Sequence, residues 1–441
     1  MTAAVPPGGA AVRRNIFVLG LDDTNRATLG RLADADQYDF HQLLGRDELQ
    51  TGTVSVPHLL ERAHAVLDAF PGSIDAIVGY WDFPVSMMVP ILCDRYGLCS
   101  ASLTAVVKCE HKYWSRLQQQ QVIEECPAFG LIDPHDPQPR LPVPLGYPVW
   151  IKPIKSTASQ GAHFVENDEQ LRNALAQVRV EVERIGGPFN AVLELLDLPP
   201  DIAGIDGRAC IVEEALTGQQ VTVEGYSRGG HVDIYGVVDS VSYPDTPSFL
   251  RYEYPSSRVP AHVQERMSEI SRRVIVALGL TNSTFNIEYF WDPDSDRLRL
   301  LEVNARHSQS HARLFEMVDG VSNHAFMIDL GLNREPRRLV PGAGPFPIAA
   351  KWFLRRFSDG VVRRVPTAQE ISALVARLPG TTVEVLFSVG DRLSNGEGED
   401  SFSFVLAEIV TGGRDQQDLL DRYDKCVRSL PFEIDDIPGG L

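Results

Sequence analysis

Residues 285–311 constrain this chain more than any other stretch. They read Phe-Asn-Ile-Glu-Tyr-Phe-Trp, then Asp292-Pro293-Asp294-Ser295-Asp296, then Arg-Leu-Arg-Leu-Leu-Glu-Val-Asn-Ala-Arg-His-Ser-Gln-Ser-His. Two β-prone runs around an Asp/Pro/Ser cluster predict a hairpin with a longer loop. Side chains alternate along a strand, so Glu302, Asn304 and Arg306 share one face and Leu301, Val303 and Ala305 the other. Folding about residue 294 or 295 brings Glu288 opposite Leu300 or Glu302. Two carboxylates then meet across a strand pair, where they repel. A divalent cation resolves the conflict: Glu288, Glu302 and Asn304 offer only oxygen ligands, which suits Mg²⁺ held by one or two carboxylates plus nucleotide phosphates. The competing reading is a solvated hairpin face with scattered acids. Arg306 on the same face, and the residues upstream, weigh against it.

With 441 residues, 44% of them hydrophobic, the chain is expected to be globular, with about three domains. A net charge of −18 leaves no basic face for nucleic acid, so an anionic ligand must be met by a few placed cations. Only six lysines occur, and Lys108, Lys112, Lys152 and Lys155 fall close together. The six cysteines show no metal-ligand spacing, the pattern of reduced thiols in a cytoplasmic protein. The apolar run after Arg13-Arg14, Ile16 to Leu21, is too short for a signal peptide or membrane span.

In chain order, residues 1–14 read as a loose tail. Buried-strand runs at 15–21 and 75–80, with helices from Pro57 to Phe70 and from Val85 to Tyr96, predict a small parallel α/β unit over 15–107; Gly97 is the expected helix stop. No GxGxxG follows the first strand, which argues against a dinucleotide site. Residues 106–126 predict a polar helix with Lys112 and Arg116 one turn apart; Lys108 and Arg116 read as its solvated face. A proline-rich connector closes this 108–145 segment.

Lys152 lies in a strand among apolar neighbours, where an ammonium needs an anion. The small residues 156–161 that follow, including Ser156, Ser159 and Gly161, would let backbone N–H groups approach phosphate, although the stretch is no P-loop. Beyond a helix from Asp168 to Arg184, residues 211–226 predict two strands around a Thr-Gly turn. A long loop is expected over Tyr243 to Pro260, then a helix from His262 to Leu278, and after the hairpin a helix from Phe315 to Leu330. Residues 345–441 read as a structural lobe.

These pieces, in this order, resemble the ATP-grasp superfamily, on its biotin-carboxylase-like and amino-acid-ligase-like branch. The resemblance rests on Lys112, on Lys152 with its loop, on Val-Glu-Glu-Ala-Leu-Thr-Gly-Gln-Gln-Val-Thr-Val-Glu (212–224), on Asn-Ile-Glu (286–288) and on Leu-Glu-Val-Asn-Ala-Arg (301–306). It implies a mixed α/β and α+β ATP-grasp fold, with a lid subdomain at 146–217, a core at 218–344 that carries the metal hairpin, and the C-terminal lobe. It also implies that Lys112, Lys152 and the 156–161 loop hold ATP phosphates, and that Glu213, Glu214, Ala215 and Leu216 receive adenine. Glu288, Glu302 and Asn304 would bind Mg²⁺ (Mn²⁺ as a substitute), and Arg306 would stabilise acyl-phosphate and tetrahedral intermediates. The acid that often meets the ribose is replaced here by Gln219 or Gln220. Biotin carboxylases continue from the arginine with Leu-Gln-Val-Glu-His; here His307-Ser308-Gln309-Ser310-His311 follow. Ser310 replaces the carboxylate base, and a hydroxyl cannot do its work near neutral pH.

The expected activity is therefore joining a small-molecule carboxylate to an amine with release of ADP and phosphate. A thiol acceptor and a nucleotide-binding protein without ligase activity are the alternatives. His307, Ser308, Gln309 and His311 are expected to line the acyl pocket, with Arg251 or Arg258 from the long loop as carboxylate clamps. The resemblance also allows a homodimer.

Overall fold

The computed structural model describes residues 13–52, 54–156, 161–396 and 403–437. Strand β1 (Arg14–Leu19) pairs in parallel with β2 (Tyr38–Leu43) and β3 (Ala76–Gly79) in the order β2-β1-β3. The sequence marks β1 and β3, whose side chains are mostly buried. Strand β2 escapes it because only its two end residues, Tyr38 and Leu43, are buried, so an edge strand here shows neither an apolar run nor clean alternation. Gly97 ends the Val85–Tyr96 helix at φ 66, a conformation that costs glycine nothing.

The polar helix expected over 106–126 is two helices, Leu103–Glu110 and Lys112–Gln119. His111 breaks them with an extended backbone, and its Nδ1 accepts the Trp114 N–H as the cap of the second helix. That helix is not a solvated face: Trp114, Ser115, Arg116 and Gln119 are all buried.

Strands β4 (Phe129–Ile132), β5 (Val149–Pro153), β6 (His163–Val165) and β7 (Cys210–Glu214) form an antiparallel sheet in the order β4-β7-β5-β6. Strand β4 lies in the 108–145 segment, ahead of its proline-rich connector. The helix Asp168–Leu193, longer than expected, covers one face, packing Leu171, Leu175 and Val178 on Val149, Ile151 and Val212. Alternation then turns Trp150, Lys152 and Glu213 to the other face.

The largest element is an eight-stranded antiparallel sheet made of β8 (Gln219–Arg228), β9 (His231–Ser242), β10 (Phe249–Tyr254), β11 (Ser283–Asp292), β12 (Arg297–Asn304), β13 (Ile348–Arg356), β15 (Thr382–Val385) and β16 (Phe404–Gly413). Its order is β12-β11-β8-β9-β10-β13-β16-β15; β14 (Gly360–Arg364) pairs separately with β17 (Glu433–Asp436). The stretch read as a long loop holds β10, bonded on both sides. The last hundred residues, read as a structural lobe, add β13, β15 and β16 to the hairpin's own sheet. The helices Ala261–Leu278 and Gln416–Ser429 bury the back face. The helix expected over 315–330 is two, Ala312–Asp319 and His324–Gly331, parted where Gly320 turns at φ 76.

Candidate active site

The expected hairpin is β11 and β12, and Glu302, not Leu300, stands opposite Glu288, with Asn304 opposite Asn286. The pairing is not plain alternation. Tyr289 faces Leu300 while Glu288 faces Glu302, so Leu301 is an extra residue, a β-bulge on the edge strand. Without it Glu288 would face Leu301, and Glu302 and Asn304 would point into the core, because one residue of slip exchanges the faces of a strand.

Burial and then the charge of Glu302 push Glu288 up to about 7. Gln220 Nε2 donates to Glu288 Oε2 at 2.8 Å, and Asn304 Nδ2 donates to Asn286 Oδ1 at 2.9 Å. Among the described residues no group of three or more His, Cys, Asp or Glu could cage a metal. Two carboxylates and an amide nonetheless fit a hard dication whose other positions are taken by phosphate and water. The facing negative charge that raises Glu288 is what such an ion would neutralise.

Three lysines converge on this spot. Lys112 Nζ is 3.4 Å from Glu302 Oε1 and donates to Ser156 O and Oγ at 3.3 Å. Burial lowers its pKa; Glu302 opposes this, and Lys155 and Lys152 add to it. Lys152 Nζ meets Glu213 Oε2 at 2.8 Å, and Lys155 Nζ is buried against Glu110 Oε2 at 2.6 Å. Lys108 stands apart, over the Trp114 ring. Gly161 turns at φ 69 against Pro153; Ser159 lies outside the described residues.

Several expected contacts are spoken for. Burial alone would raise Glu213, but Arg116 and Lys152 hold it down at about 2, so its carboxylate is not free to meet an adenine amino group. The Glu214 carboxylate accepts from Arg297 and Arg299. The Glu214 N–H bonds Ala128 O, and the Ala215 N–H bonds Pro148 O. Leu216 follows just beyond β7.

Arg306 forks onto Asp82, with Nε–Oδ1 and Nη2–Oδ2 both at 2.8 Å. Asp82, just beyond β3, belongs to none of the motifs above; its signal in the sequence is its place past the carboxyl end of a parallel strand, where α/β sheets present ligand-binding groups. His307 and His311 are buried and do not line an open pocket. Asn25 Nδ2 donates to Asp22, so its Oδ1 must accept from His324 Nε2 (2.8 Å). His324 Nδ1 then accepts from His307 Nε2 (2.8 Å), and His307 Nδ1 accepts from Thr284 Oγ1 (3.0 Å). Burial, with His324 and Arg306 nearby, holds His307 well below the usual imidazole range, so it is a neutral strut. His311 Nδ1 and the Ser308 N–H both bond Glu224 Oε1, at 2.8 and 2.9 Å. Ser308 and Gln309 remain part-exposed, and Ser310 Oγ accepts from Lys351 Nζ at 3.2 Å.

Neither proposed clamp faces the carboxylates. Register carries Glu288 through Thr222 and Gln220 to Ser240 and Tyr252 on one face, which leaves Arg251 on the other. There it bonds Glu253 and stacks on Trp352. Arg258 is exposed, with its backbone N–H on Asp239, beside the same back face. The cause is β10: a strand dictates direction where a loop would have left it open.

Residues 145–312 match the family model described as the ATP-grasp domain. That matched segment contains Lys152, Gln220, Glu288, Glu302, Asn304 and Arg306. The chain's course is similar to that of L-amino acid ligase from Bacillus licheniformis (TM-score 0.74, 15% identical, 96% of this chain and 98% of that one). It is also similar to biotin carboxylase from Campylobacter jejuni (TM-score 0.64, 14% identical, 96% and 92%). In sequence it is 24% identical over 221 residues to the carbamoyl phosphate synthase large chain of Thermotoga neapolitana. That match takes in 50% of this chain but only 18% of the relative.

Proposed function

We propose that the chain is an ATP-dependent ligase that activates a carboxylate as an acyl phosphate and transfers the acyl group to an amine. The carrying observation is the pair Glu288 and Glu302, face to face across the hairpin and ringed by Lys112, Lys152 and Arg306. A substrate carboxylate oxygen attacks the γ-phosphorus as the bond to the ADP oxygen breaks. The neutral amine nitrogen then attacks the acyl carbon, phosphate leaves with the electron pair of the broken C–O bond, and the nitrogen gives up one proton to solvent. Lys112 and Lys152 hold the phosphate oxygens, and the Arg306 guanidinium faces the charge that grows on the acyl oxygen. Mg²⁺ on Glu288, Glu302 and Asn304 would supply neutralisation of phosphate charge. Trp150 and Phe164, packed together with centroids 5.3 Å apart, offer partly exposed ring faces beside Glu213 to the nucleotide base.

The test is purified protein with ATP, MgCl₂ and a matrix of small acids and amines, read as ADP release that needs both partners. Hydroxylamine in place of the amine should trap the activated acid as a hydroxamate. ADP release from no pairing would remove the proposal. A cytoplasmic setting and a homodimer complete it, the latter checked by light scattering; among the described residues no helix is long and apolar enough to cross a membrane.

A further inference from the structure

The bulge at Leu301 decides which face of β12 carries the metal carboxylate, so whatever holds the bulge controls the site. Strand β12 is the sheet's edge, and a bulged edge leaves backbone carbonyls without ladder partners. One side chain collects them. Arg116 Nη1 donates to Leu300 O at 3.0 Å and to Gln119 Oε1 at 2.6 Å, and its Nη2 donates to Leu301 O at 2.6 Å. Its Nε donates to Glu213 Oε1, also at 2.6 Å. The residue is 3% exposed.

Three functional groups hang on that guanidinium. The peptide after Leu301 leads into Glu302. The second oxygen of Glu213 holds Lys152. Lys112, one turn earlier on the same helix, touches Glu302. We infer that Arg116 is a positioning residue that pins the β12 bulge, and so sets Glu302 against Glu288 and against the phosphate lysines. This rests on the function proposed above. Only a planar fork with several donors can bridge two successive carbonyls and a carboxylate; an ammonium on a flexible stem can answer Glu213 but not all of them.

Arg116→Lys is the test because it keeps the buried charge beside Glu213 and removes the fork. Affinity for a non-hydrolysable ATP analogue is measured by calorimetry with and without MgCl₂. In wild type Mg²⁺ should tighten binding. In Arg116→Lys that tightening should shrink by about tenfold or more, while metal-free affinity stays within about threefold, the mark of a misplaced carboxylate and not of general loosening. Backbone amide exchange over residues 300–303 should speed up in the variant without ligand. Glu302→Gln, which removes the carboxylate itself, should abolish the Mg²⁺ effect. A wild type without any Mg²⁺-dependent affinity overturns the proposed function. A wild type that shows it, with an Arg116→Lys variant that retains it or exchanges at the wild-type rate, overturns the clamp alone.

Discussion

Glu288 is held at a disadvantage in the metal-free fold, and the sign of that disadvantage can be tested. Its folded pKa, about 7, lies above the ordinary 4.5, so the folded state is favoured while the carboxyl keeps its proton. That contribution is complete below pH 4.5 and is lost as pH rises through about 7. Glu288→Gln should therefore raise the melting temperature at pH 8, where wild type carries two facing charges, and change it little at pH 4. The same variant should lose ATP turnover, because the amide cannot neutralise a cation. A variant that melts like wild type at both pH values would mean that the two carboxylates do not repel. Glu302→Gln should also end turnover with the fold retained, read by circular dichroism beside ADP release. Mg²⁺ affinity in wild type should fall as pH drops below about 7, since protons compete for the ligand that binds the ion.

At the scale of elements, the hairpin, Gly97 and the 262–278 helix were legible because period, turn residues and caps agree there. The misses share a cause: tertiary partners overrode local signals. Strand β10 sits inside Tyr-Pro-Asp-Thr-Pro and Pro-Ser-Ser flanks that look like loop, and its two neighbouring strands make it a strand. Arg116 reads as a polar helix face until Glu213, nearly a hundred residues later, is folded onto it. Alternation leaves Leu300 and Glu302 both open as partners of Glu288, and it cannot foresee the Leu301 bulge that goes with Glu302. The Glu213 cluster carries its own prediction. With a folded pKa of about 2 against an ordinary 4.5, Glu213 contributes stability that is present above pH 4.5 and lost as pH falls toward 2. Thermal melts across that window should show a steep acid limb in wild type and a flatter one in Glu213→Gln, which starts lower because two buried cations lose their shared anion. Equal slopes would show that the ion cluster does not hold β7 to the Lys112 helix.

Across the whole molecule, the N-terminal α/β unit is built into the site. It reaches the loop after β12 twice, through Asp82 on Arg306 and through Asn25 and His324 on His307. It also meets the far end of the large sheet, where Thr24 Oγ1 donates to Glu384 at 3.2 Å. The two jobs of the cleft thus fall on different parts. In the proposed reaction nucleotide phosphates would be met by Lys112 and Lys152, whereas Arg306, assigned there to the acyl group, is oriented by Asp82. Asp82→Asn keeps the shape and removes one of the two charged acceptors of the guanidinium fork, so Arg306 loses its fixed direction. Turnover should fall by about 10²-fold, the scale of losing one oriented donor in acyl transfer, while the KM for ATP stays within about twofold. Steady-state ADP release at varied ATP, with acid and amine saturating, separates the two parameters. If the KM for ATP rose instead and kcat held, Asp82 would be serving the nucleotide, and the division of labour between the N-terminal unit and the lysines would be wrong.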